Sequence, residues 1–170
     1  MASHEQLKIL KQGVEEWNRW RQGNAAVRPD LTQADLSRMD LRNANLGRTD
    51  LTGANLSKAT LHGANFSEAN LQKACFAEAD LSHANFSGAS LGGADLEETD
   101  LHSADFFGAK LQGANMAEAD LSRAILWMAN LRATELSFTI GLTQEQIEAA
   151  DGSVDTKLPS DLRMPTRWKT

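Results

Sequence analysis

An apolar residue occupies every fifth position of this chain from 31 to 136, 22 times without interruption. We call this position the centre of a five-residue unit. Seventeen centres are Leu, and the others are Phe66, Phe76, Phe86, Phe106 and Met116. Two positions before the centre stands a small residue, Ala in 17 units, and the residue directly before the centre is Asp or Asn in 16 units. The two positions after the centre are polar, charged or Gly in most units.

Neither a single helix nor a single strand can bury this pattern on one side. Five residues advance a helix by about 500°, so the centres would spread over every side. In a strand, successive centres would alternate between the two faces, because five is odd. The pattern is consistent only if the chain turns once per unit, with the small residue and the centre inside and Asp or Asn outside. It therefore predicts an all-β solenoid with a thin core of Leu and Ala.

Units such as Ala54-Asn55-Leu56-Ser57-Lys58 resemble the A(D/N)LXX motif of the pentapeptide-repeat family. The resemblance covers residues 29–138, about two-thirds of the chain. It implies a right-handed quadrilateral β-helix with four units per coil, and hence about five and a half coils. At the ~4.8 Å spacing of neighbouring strands, the rod would be roughly 26 Å long.

Residues 20 apart should stack in such a coil. Phe66, Phe86 and Phe106 should therefore form one aromatic ladder, with Phe76 on the opposite side. Gly stands second after the centre in six units, where a type II turn requires positive φ. No unit of one face has Gly there, and we expect a different corner geometry on it; its centres are Leu36, Leu56, Phe76, Leu96 and Met116.

The two flanks are predicted to be short helical caps, because a solenoid must cover its terminal coils. Residues 1–28 form the first cap, with a helix over about 4–22, Ser3 as its N-cap and a stop at Gly23-Asn24. Its apolar stripe consists of Leu7, Leu10, Val14 and Trp17. We expect Trp17 and Trp20 to cover the first coil rather than to clamp a ligand.

Residues 139–170 form the second cap. Thr143 and Gln146 have the spacing of a capping box, which predicts a short helix to about Ala150. Trp168 is expected to tuck its ring against the rod. Both flanks resemble the end extensions of cyanobacterial members of the family.

Charge and composition narrow the function further. The net charge is −6, and the repeats hold eight Lys and Arg against fifteen Asp and Glu. Direct binding of nucleic acid is disfavoured, because phosphates require a basic footprint. No signal peptide and no 18-residue apolar run are visible, so the sequence predicts a cytoplasmic protein that does not bind membranes.

No catalytic constellation stands out, so we predict neither an enzyme nor a cofactor. Short polar side chains bond nearby backbone at turns, which explains the many Asp and Asn residues. Cys75 has no base beside it. His62 and His102 are expected on one face two coils apart, with His83 one position further along its own unit. This separation is too large for one metal ion, so we predict no metal site.

Two groups of outward residues are candidate interaction surfaces. The first is an acidic column of Glu78, Glu98 and Glu118 with Glu97 beside it, which is either a solvated face or a dock for a basic partner. The second is apolar and consists of Phe107, Ile125, Trp127 and Met128. We expect the C-terminal segment to cover it, the alternative being a dimer or partner interface.

These features favour a non-enzymatic structural or protein–protein interaction module, a monomer or weak dimer with an unknown protein partner. The alternative is a DNA-mimicking regulator, because some family members linked to quinolone resistance are acidic rods that bind DNA gyrase. Against this alternative, the rod is short and has no inserted loop. Its acidic residues are also mixed with Arg and Lys.

Overall fold

The computed structural model describes residues 2–169. Four helical elements flank the repeats: α1 (His4–Lys11), α2 (Val14–Gly23), α3 (Gln144–Ala149) and a 3₁₀ turn (Thr166–Lys169). Between α2 and α3 the chain forms single-residue parallel bridges instead of long strands. Within the described residues, no helix has both the length and the apolar character that a bilayer crossing requires.

The bridges join residues 20 positions apart, beginning with Asp30 and Asp50 and ending with Asp120 and Ile140. Since each unit has five residues, four units complete one coil and each unit forms one side of it. Units two apart therefore lie on opposite sides. We number the faces 1 to 4 by their first centres, which are Leu31, Leu36, Leu41 and Leu46.

Every unit turns its corner in the same way. The N–H of the small residue donates to the C=O of the preceding centre, as from Ala54 to Leu51 at 2.9 Å. The second residue after the centre has φ between 54° and 67° in all 22 units. In the units from Gln33 to Gly113 its N–H donates to the next coil, as from Lys58 to Ala77 at 2.9 Å. This ladder holds the left-handed conformation whatever the side chain.

Face 2 has no Gly at this corner position, and its residues nevertheless have φ between 55° and 65°; they are Arg38, Lys58, Glu78, Glu98, Glu118 and Phe138. The prediction of a different corner geometry on this face is therefore wrong. Backbone pairing between coils outweighs the local preference for Gly. An L-residue in this conformation costs about 1–2 kcal/mol.

The interior holds the centres and the small residues, as predicted. The aromatic ladder is also confirmed: the ring centroids of Phe66 and Phe86 are 5.0 Å apart, and those of Phe86 and Phe106 are 4.8 Å apart, with the rings stacked within 3°. Phe76 approaches from the opposite wall and meets Phe66 edge-on at 5.7 Å. The wider rings therefore fill the same coils from both sides.

Outward Asp and Asn side chains bond the backbone two residues further on. The N–H of Ser67 donates to Asn65 at 2.9 Å, and that of Ser122 donates to Asp120 at 2.8 Å. The prediction that these residues serve the turns is confirmed. Their abundance therefore follows from the architecture and indicates no acid–base chemistry.

The N-terminal flank forms two helices instead of the single predicted one. Gly13, with φ of 127°, separates α1 from α2. Few residues other than Gly adopt this conformation, so the helix stops there. Ser3 is the N-cap of α1 and α2 ends at Gly23, both as predicted. Trp17 is fully buried against the core cluster, and Trp20 packs on it.

Side chains of these helices bond the exposed edge of the first coil. The indole N–H of Trp17 donates to the C=O of Asn45 at 2.8 Å, and the N–H of Asn45 donates to the Oδ1 of Asn18 at 2.8 Å. The guanidinium of Arg21 donates to the C=O of Gly47 at 2.8 Å, and burial lowers the pKa of this group. Backbone N–H and C=O groups of the first coil have no preceding coil to pair with, and side chains of α2 form hydrogen bonds with them instead.

The C-terminal flank continues the pairing after an insertion. Asp151 pairs with Asn130, and Lys157 pairs with Glu135, at spacings of 21 and 22 residues. Helix α3 stands where a unit of face 4 would follow. It begins with the predicted capping box of Thr143 and Gln146.

Two side chains tie this flank to the last coil. The amide of Gln146 donates to the C=O of Leu121 at 3.0 Å and to that of Ala124 at 2.8 Å. Trp168 is buried, as predicted, and lies so close to Gly152 that a Cβ there would be 2.5 Å from its ring. A larger residue at position 152 would therefore displace the ring.

Candidate interaction surfaces

Four apolar side chains form a patch at the C-terminal end of face 4, which we call the apolar patch. Their exposed fractions are 42% for Phe107, 50% for Ile125, 55% for Trp127 and 60% for Met128. Phe107 and Trp127 are 20 residues apart, and their rings are in contact with centroids 5.4 Å apart and planes tilted by 31°. The register of the coil thus places large apolar groups together where earlier coils carry polar ones.

The prediction that the C-terminal segment covers this patch is wrong. Helix α3 contacts face 4 at its end, where the N–H of Met128 donates to the C=O of Ala149 at 3.0 Å, and the following residues pair with faces 1 and 2 through Asp151 and Lys157. Trp168 packs beside Gly152 and donates its indole N–H to the C=O of Ala150 at 3.2 Å. The segment thus runs along the end of the rod and leaves the side of face 4 open.

The rest of face 4 has mostly small outward side chains, with three charged ones, Arg48, Glu68 and Asp105. Below the apolar patch, its outward positions in the coils centred on Phe66 and Phe86 hold Asn65, Ser67, Glu68, Asn85, Ser87 and Gly88. Glu68 is the single charge among them, and it lies 4.0 Å from Arg48. A partner that docks on the patch would therefore meet a flat surface with one carboxylate beside the apolar groups, since Asp105 pairs with Ile125.

The acidic column lies on face 2, on the opposite side of the rod. Glu78, Glu98 and Glu118 stack at the corner position, above the basic residues Arg38 and Lys58. Lys58 pairs with Glu78 at 3.0 Å, which neutralises one end of the column. The structure therefore does not bring the two candidate surfaces together.

Two neighbours of the column are also engaged. Glu97 accepts a hydrogen bond from Asn115 at 3.3 Å. Glu135 pairs with Lys157 at 2.6 Å, and the hydrogen bond from Lys157 is the main reason why the pKa of Glu135 is lowered. Only part of the acidic face therefore remains open to a partner.

The histidines of face 3 lie closer together than the sequence suggested. His83 stands between His62 and His102, with ring centroids 5.2 Å and 5.8 Å away. Among residues 2–169, no three His, Cys, Asp or Glu side chains could hold one ion together. Cys75 is half-buried, with its Sγ 3.9 Å from Asp95.

One cleft lies outside the repeats, between α3 and the residues around Thr166. Its walls include Glu148, Asp161 and Arg163, together with Met164 and Pro165. Gln144 crosses one wall by bonding Glu148 and the C=O of Arg163, each at 3.0 Å. These walls hold neither a cysteine nor a histidine that could act as a nucleophile or general base.

A family model for pentapeptide repeats matches this chain in eight copies, over residues 30–67, 64–102 and 99–137. The chain belongs to the pentapeptide repeat family. No curated protein matches this pentapeptide repeat protein significantly by sequence.

Similar solved structures are also pentapeptide repeat proteins. HetL, which is involved in the regulation of heterocyst differentiation in the cyanobacterium Nostoc sp. strain PCC 7120, is 32% identical with a TM-score of 0.57. The match covers 76% of this chain and 63% of HetL, so the chain spans less than two-thirds of HetL's length.

Two further structures are more distant. Rfr23 from the cyanobacterium Cyanothece 51142 is 24% identical with a TM-score of 0.33, over 83% of this chain and 97% of Rfr23. QnrB1, a plasmid-mediated fluoroquinolone resistance protein, is 20% identical with a TM-score of 0.40, over 81% of this chain and 80% of QnrB1.

Proposed function

We propose that this pentapeptide repeat protein is a non-catalytic rod that binds a partner protein through the apolar patch of face 4. The observation that carries this proposal is the exposure of Trp127, 55%, and Met128, 60%, beside Phe107 on one regular face. Contiguous apolar surface on a folded domain usually marks an interaction site. Trp is enriched among the residues that dominate binding energy.

The rod itself supports this role. Its faces are fixed by pairing between coils and by a filled interior, so a partner would meet a preorganised surface and lose little binding energy in ordering it. We propose a right-handed β-helix of about five and a half coils, in which α1, α2 and the C-terminal segment act as caps. Covered ends discourage edge-to-edge growth, which fits a monomer or weak dimer.

The likeness to HetL supports a regulatory role. HetL is described as involved in the regulation of heterocyst differentiation, and it is 32% identical to this chain. We propose that this chain likewise regulates another protein by binding it. The chain spans only 63% of HetL, so the identity of the partner does not transfer with the likeness.

The acidic column is proposed as a secondary surface that steers a positively charged partner. Glu98 and Glu118 are exposed on face 2. Long-range attraction of this kind raises the association rate more than the affinity. Mimicry of DNA fits less well, because Lys58 neutralises Glu78 and the column begins with Arg38. Duplex DNA, in contrast, carries a negative charge about every 1.7 Å of its axis.

Site-specific photo-crosslinking in extract of the native host tests the apolar patch. A benzophenone amino acid replaces Ile125 in one protein and Ser67, on the same face, in the matched control. We expect a partner that crosslinks from position 125 and not from position 67. A second copy of the chain at position 125 would identify the partner as the chain itself.

The captured partner is then purified and its Kd is measured with Trp127→Ser. We expect the substitution to weaken binding at least about tenfold while lowering the Tm by only about 2–4 °C, because Trp127 is 55% exposed and loses chiefly its ring contact with Phe107. Identical crosslinks from both positions would refute the proposal. An unchanged Kd would refute it equally.

A further inference from the structure

Three histidines of face 3 form a continuous row across three coils. His62 and His102 occupy the position after the centre, and His83 occupies the corner position of the coil between them. The ring centroids of His62 and His83 are 5.2 Å apart, and the rings meet edge-on. Both side chains are exposed, so ions in solution can reach them. Neither the turns nor the core requires an imidazole at these positions.

A chain of hydrogen bonds fixes one of these rings. The hydroxyl of Ser82 donates to the Oδ1 of Asp80 at 2.5 Å, so its proton is already committed. The Nδ1 of His62 lies 2.9 Å from the same hydroxyl oxygen and must therefore supply the proton of that contact. In the neutral ring, this arrangement leaves the lone pair on Nε2, facing away from Ser82.

We propose that His62 and His83 together bind one divalent transition-metal ion. An imidazole nitrogen binds such an ion at about 2.1 Å, which places the ring centroid roughly 3.2 Å from it. Two rings at a tetrahedral angle then have centroids about 5.2 Å apart. The spacing of His62 and His83 is 5.2 Å, so rotation of the two exposed rings, which now meet edge-on, would direct one nitrogen of each to a common ion.

The surroundings agree with this assignment. Histidines that bind metals usually donate their other ring N–H to an oxygen that is itself hydrogen-bonded, as His62 does to Ser82. Asp80 and Asp100 stack in the neighbouring column and make the face attractive to cations. Because no third ligand converges from residues 2–169, the site differs from a closed structural zinc site and leaves positions for water.

The ligand set selects among ions. Two imidazoles and water suit Cu²⁺, Ni²⁺ and Zn²⁺, and affinity for nitrogen ligands is highest for Cu²⁺. Cu²⁺ is therefore the probe, and because its tetragonal geometry places two adjacent imidazole centroids about 4.5 Å apart, the two exposed rings must close slightly on it. The row lies on face 3 and the apolar patch on face 4, so this proposal is independent of the proposed protein-binding role.

A titration with Cu²⁺ in a non-coordinating buffer tests the proposal. All proteins carry His4→Asn, which removes the one histidine outside the row. We expect one Cu²⁺ per chain, with an electron paramagnetic resonance signal of two imidazole nitrogens. His62→Asn and His83→Asn should each weaken binding at least about tenfold, because each removes one of two ligands. Ser82→Ala, which frees the His62 ring, should weaken it by about tenfold.

His102→Asn is the matched control, because it removes a histidine from the same row but leaves the proposed pair. It should leave the Kd within about twofold, by the same reasoning. Binding that survives His83→Asn would overturn the proposal, as would no saturable binding below about millimolar Cu²⁺. A larger loss with His102→Asn than with His62→Asn would place the ion between the other two rings and refute the assignment. Circular dichroism confirms that each variant is folded.

Discussion

The side-chain amide of Asn18 hydrogen-bonds a backbone N–H, that of Asn45, and a backbone C=O at the open edge of the first coil. Its Oδ1 accepts the N–H of Asn45 at 2.8 Å, and its Nδ2 donates to the C=O of Asn43 at 3.0 Å. In later coils the equivalent N–H bonds a backbone C=O, as Asn65 bonds Ala44 at 3.0 Å. One amide side chain therefore replaces part of a missing coil.

Asn18→Ala should destabilise the protein by about 1–3 kcal/mol, because the N–H of Asn45 loses its partner in a partly buried place. Urea unfolding measures this change. Arg19→Ala is the control on the same helix, since its ion pair with Glu16 is exposed and should contribute less than about 0.5 kcal/mol. Equal stability of the two variants would show that water replaces the amide fully.

Ala133→Gly should stabilise the protein by about 0.5–1 kcal/mol. Ala133 has φ of 54°, where an L-residue is strained by about 1–2 kcal/mol, and relief of that strain exceeds the greater flexibility of Gly in the unfolded chain. Thermal unfolding measures the shift. Ala129→Gly is the matched control: Ala129 is buried and lacks positive φ, so this change should destabilise. A loss of stability in both variants would contradict the explanation of the corners.

The same corners show what could be predicted from sequence. The spacing of five predicts which residues lie inside and the Phe66–Phe86–Phe106 ladder, because only one alignment of successive coils buries every centre. It does not predict the corner of face 2, where bonds between coils override the preference for Gly. The apolar spacing of the N-terminal flank also does not predict the break at Gly13, because the spacing of apolar residues continues in helical register across that Gly.

Contacts between distant segments were harder still to foresee. The openness of the apolar patch depends on where the C-terminal segment runs, and the pairing of Asp151 with Asn130 decides that route. The approach of His83 to both neighbours depends on side-chain direction at a corner. The coil period alone places His62 and His102 two coils apart.

Phe86→Ala should be among the most destabilising single changes, at about 3–5 kcal/mol. Phe86 stacks on Phe66 and Phe106 and meets Phe76 edge-on at 6.2 Å, so its loss leaves a cavity that a regular coil cannot close. Phe86→Leu, which restores the usual centre, should recover more than half of the loss. Urea unfolding of both variants checks the order, and equal losses would contradict it.

The protein should not inhibit or protect DNA gyrase in a supercoiling assay at micromolar concentration. Glu78 is paired with Lys58, and the acidic column begins with Arg38, so the surface reproduces only part of the charge of a duplex. An acidic variant, Arg38→Glu with Lys58→Glu, extends the column and serves as the sensitised control. Inhibition by the unmodified protein would restore DNA mimicry as the function.

The ion pair of Glu135 and Lys157 should stabilise the C-terminal segment at neutral pH and cease to do so in acid. The pKa of Glu135 is lowered below its usual 4.5, first by the hydrogen bond from Lys157 and then by that from Ser137. A carboxylate with a depressed pKa in the folded state adds stability above the pKa of the unfolded chain and loses it as pH falls through the folded value. Lys157→Met should therefore lower the free energy of unfolding at pH 7, and the difference from the unmodified protein should shrink below pH 4.5.

Lys110→Met, an exposed lysine on face 1, is the control and should show a smaller change with pH. Urea unfolding at pH 7, 5 and 3 measures both differences, and a Lys157→Met difference that stays constant down to pH 3 would contradict the coupling.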